Sequence, residues 1–265
     1  MSDLPLTEDE RFRFGGIARL YGESGLLRFK QARVAVIGIG GVGSWTAEAL
    51  ARSGVGHLTL FDLDDVCTSN INRQILALDT TVGQSKVEVM CQRLRQINPQ
   101  GDFVAKTQFI TLENMAESLN DNFDVIIDAT DTVPVKVGLI VWCRRQKQPL
   151  IVVGGAGGQK DPRQITTADL SRTTQDPLLA KVRQRLRQAH GFSRNPKRRF
   201  EVTCVYSTEQ LTYPGADGEV QLCKPGTGDS VRLDCHGGLG ASCMVTASFG
   251  LLAAQQALEK IASLN

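Results

Sequence analysis

The seven cysteines of this 265-residue chain include no Cys-x-x-Cys pair and no regular framework. An odd number in a chain of this size reads as reduced thiols, which argues against a disulfide-stapled secreted scaffold and for a cytoplasmic protein. The opening Met-Ser-Asp-Leu-Pro has neither a basic patch nor an apolar core, so no secretory leader is expected. Internal repeats and low-complexity tracts are also lacking. One long charge-free run exists, Gly237 to Ala254, but it is rich in glycine and serine and opens as Gly-Gly-x-Gly. It reads as a buried core helix continuing into the amphipathic Gln255 to Ile261, and no membrane span is expected. Acids are nearly missing from one further stretch. Between Arg172 and Arg199 nine Lys or Arg residues face the single Asp176, a local imbalance that the net charge of +2 conceals.

What is present is the composition of an ordinary globular protein, 42% hydrophobic and 22% charged, with enough chain for one large α/β domain. Its centre is Arg33-Val-Ala-Val-Ile-Gly-Ile-Gly-Gly-Val-Gly-Ser44. A β-branched apolar run leads into Gly38, Gly40, Gly41 and Gly43, and helical spacing follows from Trp45 to Arg52. Strand, glycine turn and helix N-terminus together make a phosphate cradle.

Strands are expected at His57–Asp62, Phe103–Phe109, Phe123–Asp128 and Pro149–Val153. Helices are expected at 8–30, Gly83–Ile97, Leu112–Leu119 and Val133–Arg145. This alternation predicts a doubly wound, Rossmann-like α/β fold with a mainly parallel sheet and a C-terminal α/β extension. Right-handed crossovers then gather Gly38–Gly43, Asp62–Asp65 and Asp128–Asp131 on one sheet edge. After a glycine-rich crossover at 154–158, a helix is expected at Asp176–His190, a strand at Phe200–Ser207, and a Gly/Pro-rich excursion at Thr212–Asp229. Residues 1–160 form the nucleotide-binding core in this reading, and 161–265 the substrate-facing extension of a single domain.

The glycines and the strand-end acid Asp62 would suit a dinucleotide. The run Asp62-Leu-Asp-Asp-Val-Cys-Thr-Ser-Asn-Ile-Asn-Arg-Gln74 does not, because it offers polar donors and a cation where hydride transfer wants an apolar pocket. Arg73 and Lys86 near a glycine cradle suit a triphosphate, with charge to neutralise as pyrophosphate departs. Asp128-Ala-Thr-Asp131 offers a carboxylate for magnesium, which takes one or two carboxylates and fills its shell with water and phosphate.

In combination, Gly-x-Gly-Gly-Val-Gly-Ser, Asp-x-Asp-x-Val-x-x-Ser-Asn-x-x-Arg-Gln, Val-Gly-x-x-Lys-Val-Glu and Asp-x-x-Asp resemble the ATP-dependent activating enzymes of the ThiF/MoeB/HesA superfamily. By that resemblance Asp62 holds the ribose, with Asp64 beside it, and Asn70, Arg73 and Lys86 contact the phosphates. Asp131 binds Mg²⁺ and serves adenylation. The resemblance also implies a homodimer. Sulfur-carrier-activating members carry two Cys-x-x-Cys zinc pairs that this chain lacks, so no zinc is expected. Thr132 stands where many relatives have Asn, and Pro134-Val135-Lys136 replaces a usual basic pair. An N-terminal arginine often crosses the dimer interface in relatives, and Arg13 and Arg19 flank that register.

The second half, with Gly154-Gly-Ala-Gly-Gly-Gln-Lys-Asp-Pro162, Gln175-Asp-Pro-Leu178 and Val205-Tyr-Ser-Thr-Glu209, resembles the tRNA threonylcarbamoyladenosine dehydratase branch. What this implies is ATP-driven activation of the modified nucleoside's carboxylate, followed by closure onto its own carbamoyl group. A tRNA carrying that nucleoside is the implied substrate, with sulfur-transfer proteins as further partners. The alternative is an adenylyltransferase acting on the C-terminus of a ubiquitin-like sulfur carrier.

Overall fold

The structure, a computed structural model, describes residues 5–215, 218–222 and 239–263. β1 (Arg33–Ile37), β2 (His57–Phe61), β3 (Asp102–Lys106), β4 (Val125–Asp128) and β5 (Leu150–Val153) pair in parallel. β6 (Ile165–Asp169) lies antiparallel to β7 (Thr203–Ser207), which is itself parallel to β5. The seven strands form one sheet of order β3-β2-β1-β4-β5-β7-β6. Strand order reverses beside β1, since β2 and β3 extend to one side and β4 to the other. In open α/β sheets the crevice at the carboxyl ends there is the ligand site.

Alternation along the strands sends successive side chains to opposite faces. Val34, Val36, Leu58, Leu60, Val125 and Ile127 face one core, closed by α2 (Gly15–Gln31), α3 (Gly43–Arg52), α4 (Lys86–Ile97) and α8 (Cys243–Ala262). Ala35, Ile37, Ile126 and Val152 face the other, closed by α5 (Met115–Ser118), α6 (Val133–Gln146) and α7 (Pro177–Ala189). The charge-free run is thus largely core helix. α8 carries Val245, Phe249, Ala253 and Ile261 into the first core, and no described helix is long and apolar enough to cross a membrane.

The expected helix over 8–30 is two helices, α1 (Glu8–Arg13) and α2, separated at Phe14, and α2 is kinked at Gly22 with φ 76°. A Thr7–Glu10 capping box starts α1. β3 stops at Lys106, three residues short of the expected end. Edge strand β6 is an addition to the sequence reading; its half-buried Ile-Thr-Thr run alternates too weakly to announce a strand. Of the Gly/Pro-rich excursion only the small hairpin of β8 (Tyr213–Pro214) and β9 (Val220–Gln221) can be described in detail. Cys223, Cys235 and the start of the charge-free run lie outside the described residues.

Candidate active site

The chain leaves β1 through Gly38, whose φ of 87° is strained for any residue with a side chain. Its Cα also lies against the carbonyl of Ala129 and the amide of Thr130, so the loops after β1 and β4 touch. Gly43, the first residue of α3, packs onto the Gly38 carbonyl so closely that a Cβ would overlap the oxygen. The N-terminus of α3 is drawn to the end of β1 and carries no side-chain cap. The Ser44 amide donates to the Gly40 carbonyl at 3.2 Å, and the aligned peptide dipoles favour an anion at this end of the helix. Gly40 opens to free space, with only Gln74 Nε2 near, and Gly41 lies against the side chains of Arg73 and Thr246.

Asp62, buried at the end of β2, steadies this loop. Its Oδ2 accepts from the Ile39 amide at 2.7 Å and its Oδ1 from the Asp64 amide at 3.0 Å. Each oxygen retains a lone pair for a hydroxyl donor. A backbone staple brings the next motif alongside: Val66 donates to Gln84, Gly83 to Val66, and Lys86 to the Asp64 carbonyl. Lys86 therefore enters the site at the start of α4, where its buried Nζ pairs with the half-exposed Asp64 carboxylate at 2.8 Å.

Asn70 is buried and braces the turn that presents Arg73. Its Oδ1 accepts from the Cys67 amide at 3.0 Å, and its carbonyl accepts from the amides of Arg73 and Gln74. Arg73 Nη1 donates to the Ser69 carbonyl at 2.7 Å and to Asn72 Oδ1 at 2.9 Å. The other guanidinium nitrogens have no partner among the described residues. Asn72 in turn donates to the Ala241 carbonyl at 2.8 Å, and Trp45 Nε1 to the Arg73 carbonyl at 3.0 Å. The second half of the chain thus supports the cation, and the Gly158 amide ties the glycine crossover to Gly240 at 2.7 Å.

Asp131 stands exposed before α6, its side chain engaged only by the Thr132 hydroxyl at 3.3 Å among the described residues. An exposed carboxylate with open coordination fits the donor set that magnesium prefers. The sequence reading missed Lys136. It is fully buried on α6 and pairs with the fully buried Asp128 at 3.2 Å. A lysine in a helix ordinarily reads as a solvated face, so only its position between Val135 and Val137 hinted otherwise.

The basic helix α7 is capped by Asp176, which accepts from the Leu179 amide at 2.9 Å. Not all of its cations face water. Arg183 donates to the Leu170 carbonyl and the Thr173 hydroxyl, and burial together with the nearby Arg187 charge lowers its pKa. Arg187 donates to the Ser193 carbonyl and lies over the Phe200 ring. Lys181, Arg185, Arg194, Lys197, Arg198 and Arg199 are exposed. The basic stretch is therefore only in part a free surface, because the Arg183 and Arg187 guanidinium groups pin α7 to its surroundings.

A glycine turn and helix N-terminus braced by Asp62, with Arg73 against Gly41 and the 129–130 turn against Gly38, form a nucleotide-binding arrangement at the switch point of a doubly wound sheet. Residues 16–265 match the ThiF family, and the chain belongs to it. It is 51% identical to the tRNA threonylcarbamoyladenosine dehydratase of Escherichia coli over 95% of this chain and 94% of that one. The crystal structure of the Escherichia coli dehydratase in complex with ATP superposes with a TM-score of 0.86 at 47% identity, covering 97% of each chain. The molybdopterin-synthase adenylyltransferase of Escherichia coli is 39% identical, over 55% of this chain and 59% of its own.

Proposed function

We propose that the chain is an ATP-dependent tRNA threonylcarbamoyladenosine dehydratase. The observation that carries this is 51% identity to the Escherichia coli dehydratase along 95% of the chain, against 39% over 55% for the Escherichia coli molybdopterin-synthase adenylyltransferase.

ATP lies with its phosphates on the α3 N-terminus and its ribose near Asp62. The substrate carboxylate attacks the α-phosphorus, a P–O bond forms, and pyrophosphate leaves. Arg73 and Lys86 neutralise the charge that builds on the phosphates. Lys86 is held ready by Asp64 and turns from that carboxylate toward the nucleotide. Asp131 would hold Mg²⁺, which when bound neutralises phosphate charge. The carbamoyl group of the same nucleoside then attacks the acyl carbon, AMP leaves, a proton passes to solvent, and the net change is loss of water. A tethered nucleophile has an effective molarity on the order of 10⁵ M or more, so no protein nucleophile is required. Three of the described thiols are buried: burial raises the pKa of Cys91 and of Cys143 to about 12, and burial also raises that of Cys204. These three thiols stay protonated at neutral pH.

In this reading residues 1–160 activate and 161–265 face the tRNA, with the exposed cations of α7 and 194–199 on its phosphates. The enzyme is a cytoplasmic homodimer that receives sulfur-transfer proteins as further partners. The test is ATP–pyrophosphate exchange with purified modified tRNA and, separately, with ubiquitin-like carrier proteins. Exchange stimulated by the tRNA alone is expected, and exchange stimulated only by a carrier would overturn the reading. Arg73→Ala and Lys86→Ala should each reduce turnover by about 10²–10³-fold, and thermal melting of Arg73→Ala by circular dichroism should stay close to the parent.

A further inference from the structure

At the end of β4, Asp128 and Lys136 form an ion pair in which neither side chain is exposed. Lys136 Nζ also donates to the Asp128 carbonyl at 3.3 Å, so the helix residue grips both ends of its partner. The Asp128 carboxylate is not spent on the lysine alone. Its Oδ1 accepts from the Thr130 amide at 3.1 Å and the Thr130 hydroxyl at 2.7 Å, closing the turn that leads to Asp131. The same turn is pressed from the other side by Gly38, which meets the Ala129 carbonyl and Thr130 amide. Asp128 Oδ2 is buried with no hydrogen-bond partner, which leaves the lysine as the main compensation for its charge.

An apolar pair of the same volume is often at least as stable as a buried ion pair, so stability alone does not account for this one. What it does that an apolar pair could not is hold a carboxylate oxygen where Thr130 bonds to it. We propose that Lys136 is a positioning residue for the activation step: through Asp128 and Thr130 it fixes the 129–131 turn and hence the direction in which Asp131 presents its carboxylate. The inference rests on Asp131 facing the metal–nucleotide, but the loosening of its turn can be read without any ligand.

Two measurements test it, on Lys136→Met and on the milder Thr130→Val, with Thr130→Ser as the rescue. The first is amide hydrogen exchange of the ligand-free protein. Residues 129–131 should exchange at least 10-fold faster in both variants, with β1 and α3 unchanged, and Thr130→Ser should exchange like the parent. The second is calorimetric ATP binding with and without Mg²⁺. The Mg²⁺ concentration giving half-maximal enhancement should rise about 10-fold, while affinity in chelator stays the same. If Lys136→Met does not fold, Thr130→Val decides the matter. Parent-like exchange at 129–131 in the folded variants would overturn the proposal and leave Lys136 a buried counter-ion. Faster exchange with an unchanged Mg²⁺ requirement would overturn the link to Asp131 and, separately, count against Asp131 as the metal-facing carboxylate.

Discussion

Four glycines opened the site to reading, yet at the scale of single residues they do different work. Gly43 cannot gain a methyl group without striking the backbone oxygen of Gly38, which has no freedom to retreat. Gly40 faces open space. Gly43→Ala should therefore destabilise the fold by roughly 1–3 kcal/mol in urea unfolding, the usual cost of overpacking. Gly40→Ala should stay within about 0.5 kcal/mol of the parent, yet bind ATP several-fold more weakly because its methyl group occupies ligand space. Parent-like ATP affinity in Gly40→Ala would mean that the phosphates do not lie on this loop. Residues with specialised backbone needs were legible in the sequence for this reason, whereas Lys136 was not. A buried lysine is written in the same letter as a solvated one, and only the partner reveals it.

Elements were legible where periodicity was strong and obscure where tertiary contacts decided. β1, β2, β4 and β5 declare themselves as apolar runs because both faces of each are buried. Edge strand β6 owes its existence to pairing with β7, which no local pattern encodes. In α7 the apolar stripe was readable, but which arginines are free was not, since Thr173, Ser193 and Phe200 come from other segments. Lys181 and Arg185 remain exposed, an i,i+4 like-charge pair that costs the helix about 0.2–0.5 kcal/mol at low salt. Replacing Lys181, Arg185 and Arg198 with Gln should weaken tRNA binding and flatten its log–log salt dependence by roughly 0.7–0.9 per lost contact, with ATP affinity unchanged. Arg183→Gln should behave otherwise, lowering stability by about 1.5–3 kcal/mol through its lost charged hydrogen bonds. A triple variant with the parent's affinity and salt slope would show that tRNA docks elsewhere.

The molecule as a whole joins its two halves through one sheet and through α8, which packs on α3 and sets Thr246 against Gly41 and the Arg73 carbonyl. Its outer surface leaves some apolar side chains in water. Phe12 is 92% exposed on α1 and Leu20 78% exposed on α2, with Arg19 exposed beside Leu20. Both side chains offer apolar area to a partner, and two-fold self-association is the commonest closed arrangement. The flanking arginines differ in a way that the sequence did not reveal. Arg13 is engaged within its own protomer, with Asp9 at 3.1 Å and the Ile97 carbonyl at 3.5 Å, whereas Arg19 has no hydrogen bond or ion pair among the described residues. A symmetric dimer closed over Phe12 and Leu20 would cover both and leave Arg19 the cation able to reach across. Light scattering at tens of micromolar should give twice the 28.8 kDa chain mass, and Phe12→Asp with Leu20→Asp should shift the protein toward monomer without loss of helix signal. Arg19→Ala should keep the dimer and weaken ATP binding, whereas Arg13→Ala should leave ATP affinity unchanged. A parent that scatters as a monomer at that concentration would remove the dimer and the crossing arginine together.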